Sequence, residues 1–145
     1  TAIPEIWAKP TVDILVEIPK DCSMDALKQV LVHGGWGCMH EGCDQMSFQK
    51  GYTQEGFAEQ AFHLHLHYCG DNDELYFRDY MNNNTELAKE YERLKLSLWK
   101  RFEHDRDAYT MAKGDFIGEY TAKAKVEYRG RWSSNRDIDE NKETT

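Results

Sequence analysis

Residues Thr11 to Ile18 read Thr-Val-Asp-Ile-Leu-Val-Glu-Ile, with Val12, Ile14, Val16 and Ile18 alternating with Asp13, Leu15 and Glu17. This β-branched, period-two pattern predicts a strand with one apolar face and one mostly polar face. After Pro19, Ser23 can cap a helix in which Met24, Leu27, Val30 and Leu31 recur at spacings of three and four, and Gly34 with Gly35 stops it. Trp36 to Tyr52 is irregular and punctuated by Gly37, Gly42 and Gly51, which predicts a hairpin. Alternation returns from Ala61 to Cys69, where Phe62, Leu64, Leu66 and Tyr68 interleave with His63, His65 and His67. The cluster Gly70-Asp71-Asn72-Asp73 marks the end of that strand as a turn.

Beyond the turn the period lengthens from two to about 3.6, which signals helices. A short helix is expected from Asp73 to Met81, broken by Asn82-Asn83-Asn84-Thr85. The next carries Leu87, Tyr91, Leu94 and Leu98 as one stripe, suited to lie against a sheet. A last helix, from about Asp107 to Arg129, aligns Tyr109, Ala112, Phe116 and Tyr120. Gly114 and Gly118 each weaken it by roughly 1 kcal/mol relative to alanine, so a packing reason for them is expected. Ser133 to Thr145 is polar and aperiodic, which predicts a disordered tail. Together these elements predict a mixed sheet of about four strands layered with helices. Residues 1–130 are expected to form a single domain, followed by a polar tail over 131–145.

Composition narrows the possible functions. The 145 residues are 40% hydrophobic and 30% charged, enough to bury a core, and the mean hydropathy of -0.79 argues against a membrane span. A net charge of -8 without a basic cluster argues against a nucleic-acid polymer as partner. Carboxylates in a cleft can still recruit a divalent cation, which in turn can carry a phosphate. Cys22, Cys38, Cys43 and Cys69 form no Cys-x-x-Cys pair and read as reduced thiols. With no charged-then-apolar leader, a cytoplasmic location is expected. The opening at Thr1, without methionine and close to a strand, suggests that an upstream segment is missing.

Two constellations could carry chemistry. Asp13 and Glu17 share the polar face of the first strand, but residues i and i+4 lie roughly 13 Å apart there, so a single acid must do most of any metal work. Asp13 is the stronger candidate, since a carboxylate between Val12 and Ile14 is costly to bury without a compensating cation. On a half-exposed strand, both acids would simply be solvated. The second constellation is His63, His65 and His67, whose neighbours lie roughly 7 Å apart along one face and can converge on one ion. Imidazole suits zinc, iron, nickel or manganese, whereas oxygen-rich sites suit magnesium. Polar residues alternating along an open sheet face are the structural alternative. Cys38, His40 and Cys43 lack a second ligand pair at zinc spacing. Lys9 before the strand, Arg78, and the i,i+4 pair Tyr109 and Lys113 are candidate contacts for an anionic ligand.

Ordered motifs connect these residues: Ala8-Lys9-Pro10-Thr11-Val12-Asp13-Ile14, His63-Leu64-His65-Leu66, Leu75-Tyr76-Phe77-Arg78-Asp79-Tyr80, Tyr91-Glu92-Arg93-Leu94-Lys95, and Tyr109-Thr110-Met111-Ala112-Lys113-Gly114-Asp115-Phe116-Ile117. Their sequence and spacing, to about Arg129, closely resemble the GrpB family, bacterial proteins placed in the nucleotidyltransferase superfamily. The resemblance implies an α+β nucleotidyltransferase-like fold, with a mixed sheet flanked by helices and a helical C-terminal half. In that superfamily a Gly-Ser pair holds nucleotide phosphates, and an Asp-x-Asp/Glu pair with a third acid on a later strand binds magnesium. Asp13 matches the first acid, Leu15 stands where the second belongs, and the Gly-Ser pair would precede Thr1. The third acid's strand corresponds to His63–His67, where GrpB members carry histidines.

These departures favour one ion held by Asp13 with His65 or a neighbouring histidine, since two-metal chemistry needs ions roughly 3.5 to 4 Å apart. The resemblance thus implies a metal-dependent nucleotidyltransferase acting on a nucleotide or another phosphorylated small molecule. Asp13 and His65 would be catalytic, and Asp13, His63, His65 and His67 the metal ligands, for magnesium or manganese, with zinc possible. Lys9, Arg78, Lys113 and Tyr109 would contact substrate. A non-catalytic nucleotide- or metal-binding regulatory module and a histidine-based metallohydrolase are the alternatives.

Overall fold

The computed structural model describes Ile3, Pro4, Ile6 and residues 11–133. Lys9 and the polar tail from residue 134 onward lie outside the described residues. In chain order the elements are β1 (Thr11–Ile18), α1 (Met24–His33), β2 (Gly37–Glu41), β3 (Gln45–Thr53), β4 (Gly56–Tyr68), α2 (Asp73–Asn83), α3 (Thr85–Arg101) and α4 (Arg106–Glu127). They fall into two compact units, one of residues 11–72 and one of residues 73–132 with Ile3, Pro4 and Ile6.

The first unit is a mixed four-stranded sheet in the order β1-β4-β3-β2, with β1 parallel to β4 and the other pairs antiparallel. Parallel neighbours need a crossover connection, which α1 and the β2–β3 hairpin supply. The register sets Asp13 beside His63, Leu15 beside His65 and Glu17 beside His67. The even-numbered residues of both strands therefore share the opposite face. There Ile18, Met46, Phe48, Leu64 and Leu66 form a buried core with Met24 of α1, supported by Val16, Leu27, Leu31, Trp36 and Tyr68. Ser23 caps α1 as expected, its side chain accepting from the Ala26 amide at 3.3 Å. Val30, expected on the buried stripe, is 67% exposed, because Met24, Leu27 and Leu31 suffice to cover the sheet. The last strand starts at Gly56, five residues before the expected Ala61: 56–60 lacks the alternation that marks the rest of β4, but pairing of Gly56 with Thr53 and Phe57 with Tyr52 across the hairpin begins it there.

In the second unit, Ile3, Phe77, Met81, Ala88 and Tyr91 form the buried core, packed by Ile6, Tyr80, Leu87, Phe116, Ile117 and Tyr120. Tyr91 meets Phe77 edge-on at 5.2 Å and stacks on Phe116 at 5.4 Å. Leu87 and Tyr91, part of the stripe expected to face a sheet, thus pack among helices. Asp105 caps α4 by accepting from the Ala108 amide at 3.0 Å. Among the described residues neither Gly114 nor Gly118 has a packing reason, since a Cβ at either position would meet none of them within 4 Å. Gly118→Ala is therefore expected to raise stability by about 1 kcal/mol in thermal denaturation, and a loss would show a constraint on that backbone.

Candidate functional site

The face of the sheet opposite α1 carries the Asp13 carboxylate and the three strand histidines. Asp13 Oδ1 lies 3.5 Å from His63 Nδ1 and 3.9 Å from His65 Nε2, and the Asp13 side chain is 61% exposed. Parallel pairing is what makes this possible, because it aligns the odd residues of β1 with those of β4 at one level. On the far side of β4, Ser47 lies beside His65 and Gln49 beside His63. The Asp13 carboxyl is held below its ordinary 3.8, first by the hydrogen-bonding pull of His65, against partial burial, and then by the positive charge of His65 and His63 when protonated. At 3.9 Å that His65 contact is an approach rather than a closed bond.

Tyr52 completes the group, and sequence alternation alone would have placed it on the wrong face. Met46 and Phe48 point into the core, so Lys50 and Tyr52 should follow them. Lys50 does lie toward α1, donating to the Gly34 carbonyl at 2.9 Å. Between Lys50 and Tyr52 the pairing with β4 slips at Gly51, which has φ +89°. A Cβ there would stand 2.2 Å from the Gln60 carbonyl oxygen, so only glycine fits. The bulge turns Tyr52 to the histidine face, where its hydroxyl lies 2.6 Å from His63 Nε2. The isolated Gly51 within a strand pattern was the available signal.

The other end of the same face is occupied differently. Glu17 accepts from the Gly70 amide at 2.9 Å and from Asn72 Nδ2 at 3.1 Å, so it fastens the turn after β4. His67 is buried, and its Nδ1 donates to the Asp71 carbonyl at 2.9 Å. His67 is thereby drawn to the turn, while His63 and His65 gather at Asp13. Recesses lined by Ser23, Asp25, Glu41 and Tyr68, and by Ile3, Met81 and Lys89, contain none of the Asp13 group.

The remaining candidates belong to the helical unit. Arg78 donates through Nε and Nη2 to Asp79 Oδ1 at 2.9 and 2.8 Å, and its guanidinium lies over the Trp132 ring at 5.3 Å. Asp79 Oδ2 also accepts from Arg131 and from Trp132 Nε1, at 3.2 and 3.0 Å. Arg78 is thus committed to a neighbouring acid. Lys113 and Tyr109 do meet, with Nζ 4.4 Å from the ring centroid. Burial raises the Tyr109 hydroxyl above its ordinary value. A residue the pattern did not single out, Lys95, is 8% exposed on α3, its amine lowered by burial and then by the charge of Lys113. Burial likewise pushes the Tyr91 hydroxyl up to about 12. All four cysteines are free thiols, and Cys38 Sγ lies 3.6 Å from the His40 carbonyl.

Donors held 2.0 to 2.1 Å from one tetrahedral ion stand roughly 3.3 Å apart, so the Asp13–His63 spacing has ion-clasp dimensions and the Asp13–His65 spacing is wider. Among the described residues, no three His, Cys, Asp or Glu side chains already surround a common ion position. A clasp at Asp13 requires an imidazole to swing inward, with water or ligand oxygens completing the shell.

A mixed sheet with an apolar face under one helix, a carboxylate and imidazoles on the other face, and a three-helix unit define an α+β chain with an acidic, histidine-bearing sheet face. The family model described as GrpB protein matches residues 1–123. Glutamate-rich protein GrpB of Alkalihalophilus pseudofirmus is 34% identical over 130 residues, covering 82% of this chain and 71% of that protein. A UPF0157 protein of Pseudomonas aeruginosa is 31% identical, over 86% of this chain and 52% of its own length. The solved structure of the conserved protein GrpB from Enterococcus faecalis superposes with a TM-score of 0.69 at 26% identity, over 88% of this chain and 76% of that one. The chain belongs to the GrpB family.

Among the described residues no helix is long and apolar enough to cross a membrane.

Proposed function

We propose that the sheet face opposite α1 binds one divalent cation through Asp13 and an imidazole, and presents it to the phosphates of a nucleotide or another phosphorylated small molecule. The observation that carries this reading is the convergence of one carboxylate oxygen and two imidazole nitrogens within 4 Å on one sheet face. Asp13 supplies negative charge that stays ionised at neutral pH, since its carboxyl is held below 3.8. His65, half exposed beside it, can turn Nε2 toward the same point or take a proton from an attacking hydroxyl. When bound, the cation would polarise a phosphoryl oxygen and offset the charge of the leaving phosphate. The reaction class this supports is nucleotidyl transfer, and the choice between magnesium and manganese follows the carboxylate-plus-imidazole donor set.

The test combines Mn2+ titration with turnover of nucleoside triphosphates labelled at the α-phosphate. Asp13→Ala should weaken Mn2+ at least about 10-fold and abolish turnover. Equal Mn2+ affinity in Asp13→Ala and the parent would remove the reading. Binding without turnover would favour a regulatory module, which the single well-placed acid also suits. Stoichiometric zinc in the purified protein would favour the metallohydrolase instead.

A further inference from the structure

Of the two imidazoles beside Asp13, among the described residues only His63 has its far side engaged by another side chain in a short hydrogen bond. The Tyr52 hydroxyl stands 2.6 Å from His63 Nε2, and the two rings lie nearly parallel, with 3° between their planes. A neutral imidazole has one N–H donor and one acceptor nitrogen. With Nε2 taken by Tyr52, Nδ1 is the nitrogen that remains to meet Asp13, and it does so at 3.5 Å. A lone pair at Nδ1 would face the carboxylate and repel it, whereas an N–H there attracts it. The arrangement is therefore self-consistent in one tautomer, with Tyr52 donating to Nε2 and Nδ1–H directed at Asp13.

We propose that Tyr52 is a positioning residue of the Asp13 site, holding His63 as the group that orients the carboxylate and leaving His65 as the imidazole that joins Asp13 in cation binding. This rests on the proposed cation-binding role of Asp13. It assigns different tasks to two histidines that look equivalent in the sequence. A histidine whose ring proton points at Asp13 has no lone pair there for a metal, but it fixes the carboxylate's rotation as outer-shell partners of metal sites do. His65 Nε2 also presents a proton to that oxygen, from 3.9 Å, but among the described residues no side chain bonds its Nδ1, so the proton can shift there and free the Nε2 lone pair when a cation arrives. The device depends on Gly51, since without the bulge the Tyr52 hydroxyl would lie on the core side of the sheet.

The experiment uses the whole chain, free of metal, labelled with 15N at histidine. Ring shifts at a single pH should show His63 as the Nδ1–H tautomer, and Tyr52→Phe should convert it to a mixture of tautomers. The isosteric change should leave the Tm in place while Mn2+ affinity falls about 10-fold. His63→Asn keeps a donor where Nδ1–H lies and should retain most of the affinity, whereas His65→Asn should lose it. The Nε2–H tautomer in the parent, or an unchanged His63 in Tyr52→Phe, would overturn the assignment, as would greater loss in His63→Asn than in His65→Asn. If Asp13→Ala binds Mn2+ like the parent, the cation reading fails, yet the metal-free tautomer still decides the role of Tyr52.

Discussion

Asp13 and Asp79 are both carboxylates held below their ordinary value, and they achieve it in opposite ways. Asp79 is only 13% exposed, and burial pushes its carboxyl up; bonds from Arg78 and Trp132, with the charges of Arg78 and Arg131, more than reverse that. Four donor contacts between 2.8 and 3.2 Å leave it little capacity for a ligand. Asp13 is 61% exposed and is approached only at 3.5 and 3.9 Å. A saturated acid holds a fold together, whereas an under-coordinated acid beside imidazoles has spare capacity for a cation or a proton. The contrast separates structure from chemistry better than the pKa direction, which is the same in both.

The comparison makes a ranking that can fail. Asp79→Ala should cost about 2 to 3 kcal/mol in chemical denaturation, since it leaves partly buried donors unpaired, while Mn2+ affinity stays at the parent level. Both carboxyls have folded values below the unfolded 3.8, so their stabilisation is present at neutral pH and is lost as the pH falls below 3.8 through the folded values. Asp79→Ala should accordingly flatten part of the acid-induced loss of stability, and an unchanged acid profile would contradict the role given to that acid. Glu17→Ala, which removes two acceptors at an exposed turn, should cost about 1 kcal/mol. Smallest of all, Asp13→Ala should stay within about 0.5 kcal/mol of the parent in denaturation. A large loss there would mean that Asp13 is structural after all.

Much of the fold was legible because its elements are amphipathic in the ordinary way. The β1 and β4 alternation, the Ser23 cap and the helical period after Asp73 each report local physics that tertiary packing did not override. Asp13, His63 and His65 were legible for the same reason, since odd positions of two alternating strands share a face once the strands pair in parallel register. What the pattern hid were features set by contacts distant in sequence. Tyr52 changes face through one glycine packed against the Gln60 carbonyl. Arg78 looked like a phosphate ligand until Asp79 and the Trp132 ring claimed it. Glu17 and His67 share the face of Asp13 by alternation, but the turn at 70–72 takes both. Val30 and the two α4 glycines show the reverse error, where periodicity or composition suggested packing that the neighbouring elements do not provide.

The clasp of Glu17 on the turn, with the Cys69 amide bonded to the Ile18 carbonyl at 2.8 Å, ties β1 and β4 firmly at their C-terminal ends. Asp13 lies toward the other end of the same ladder. Deuterium uptake along β1 should therefore be slowest near Ile18, where these bonds close the ladder. Such a gradient would let the carboxylate and His65 draw together around an ion while the aliphatic layer beneath them stays still.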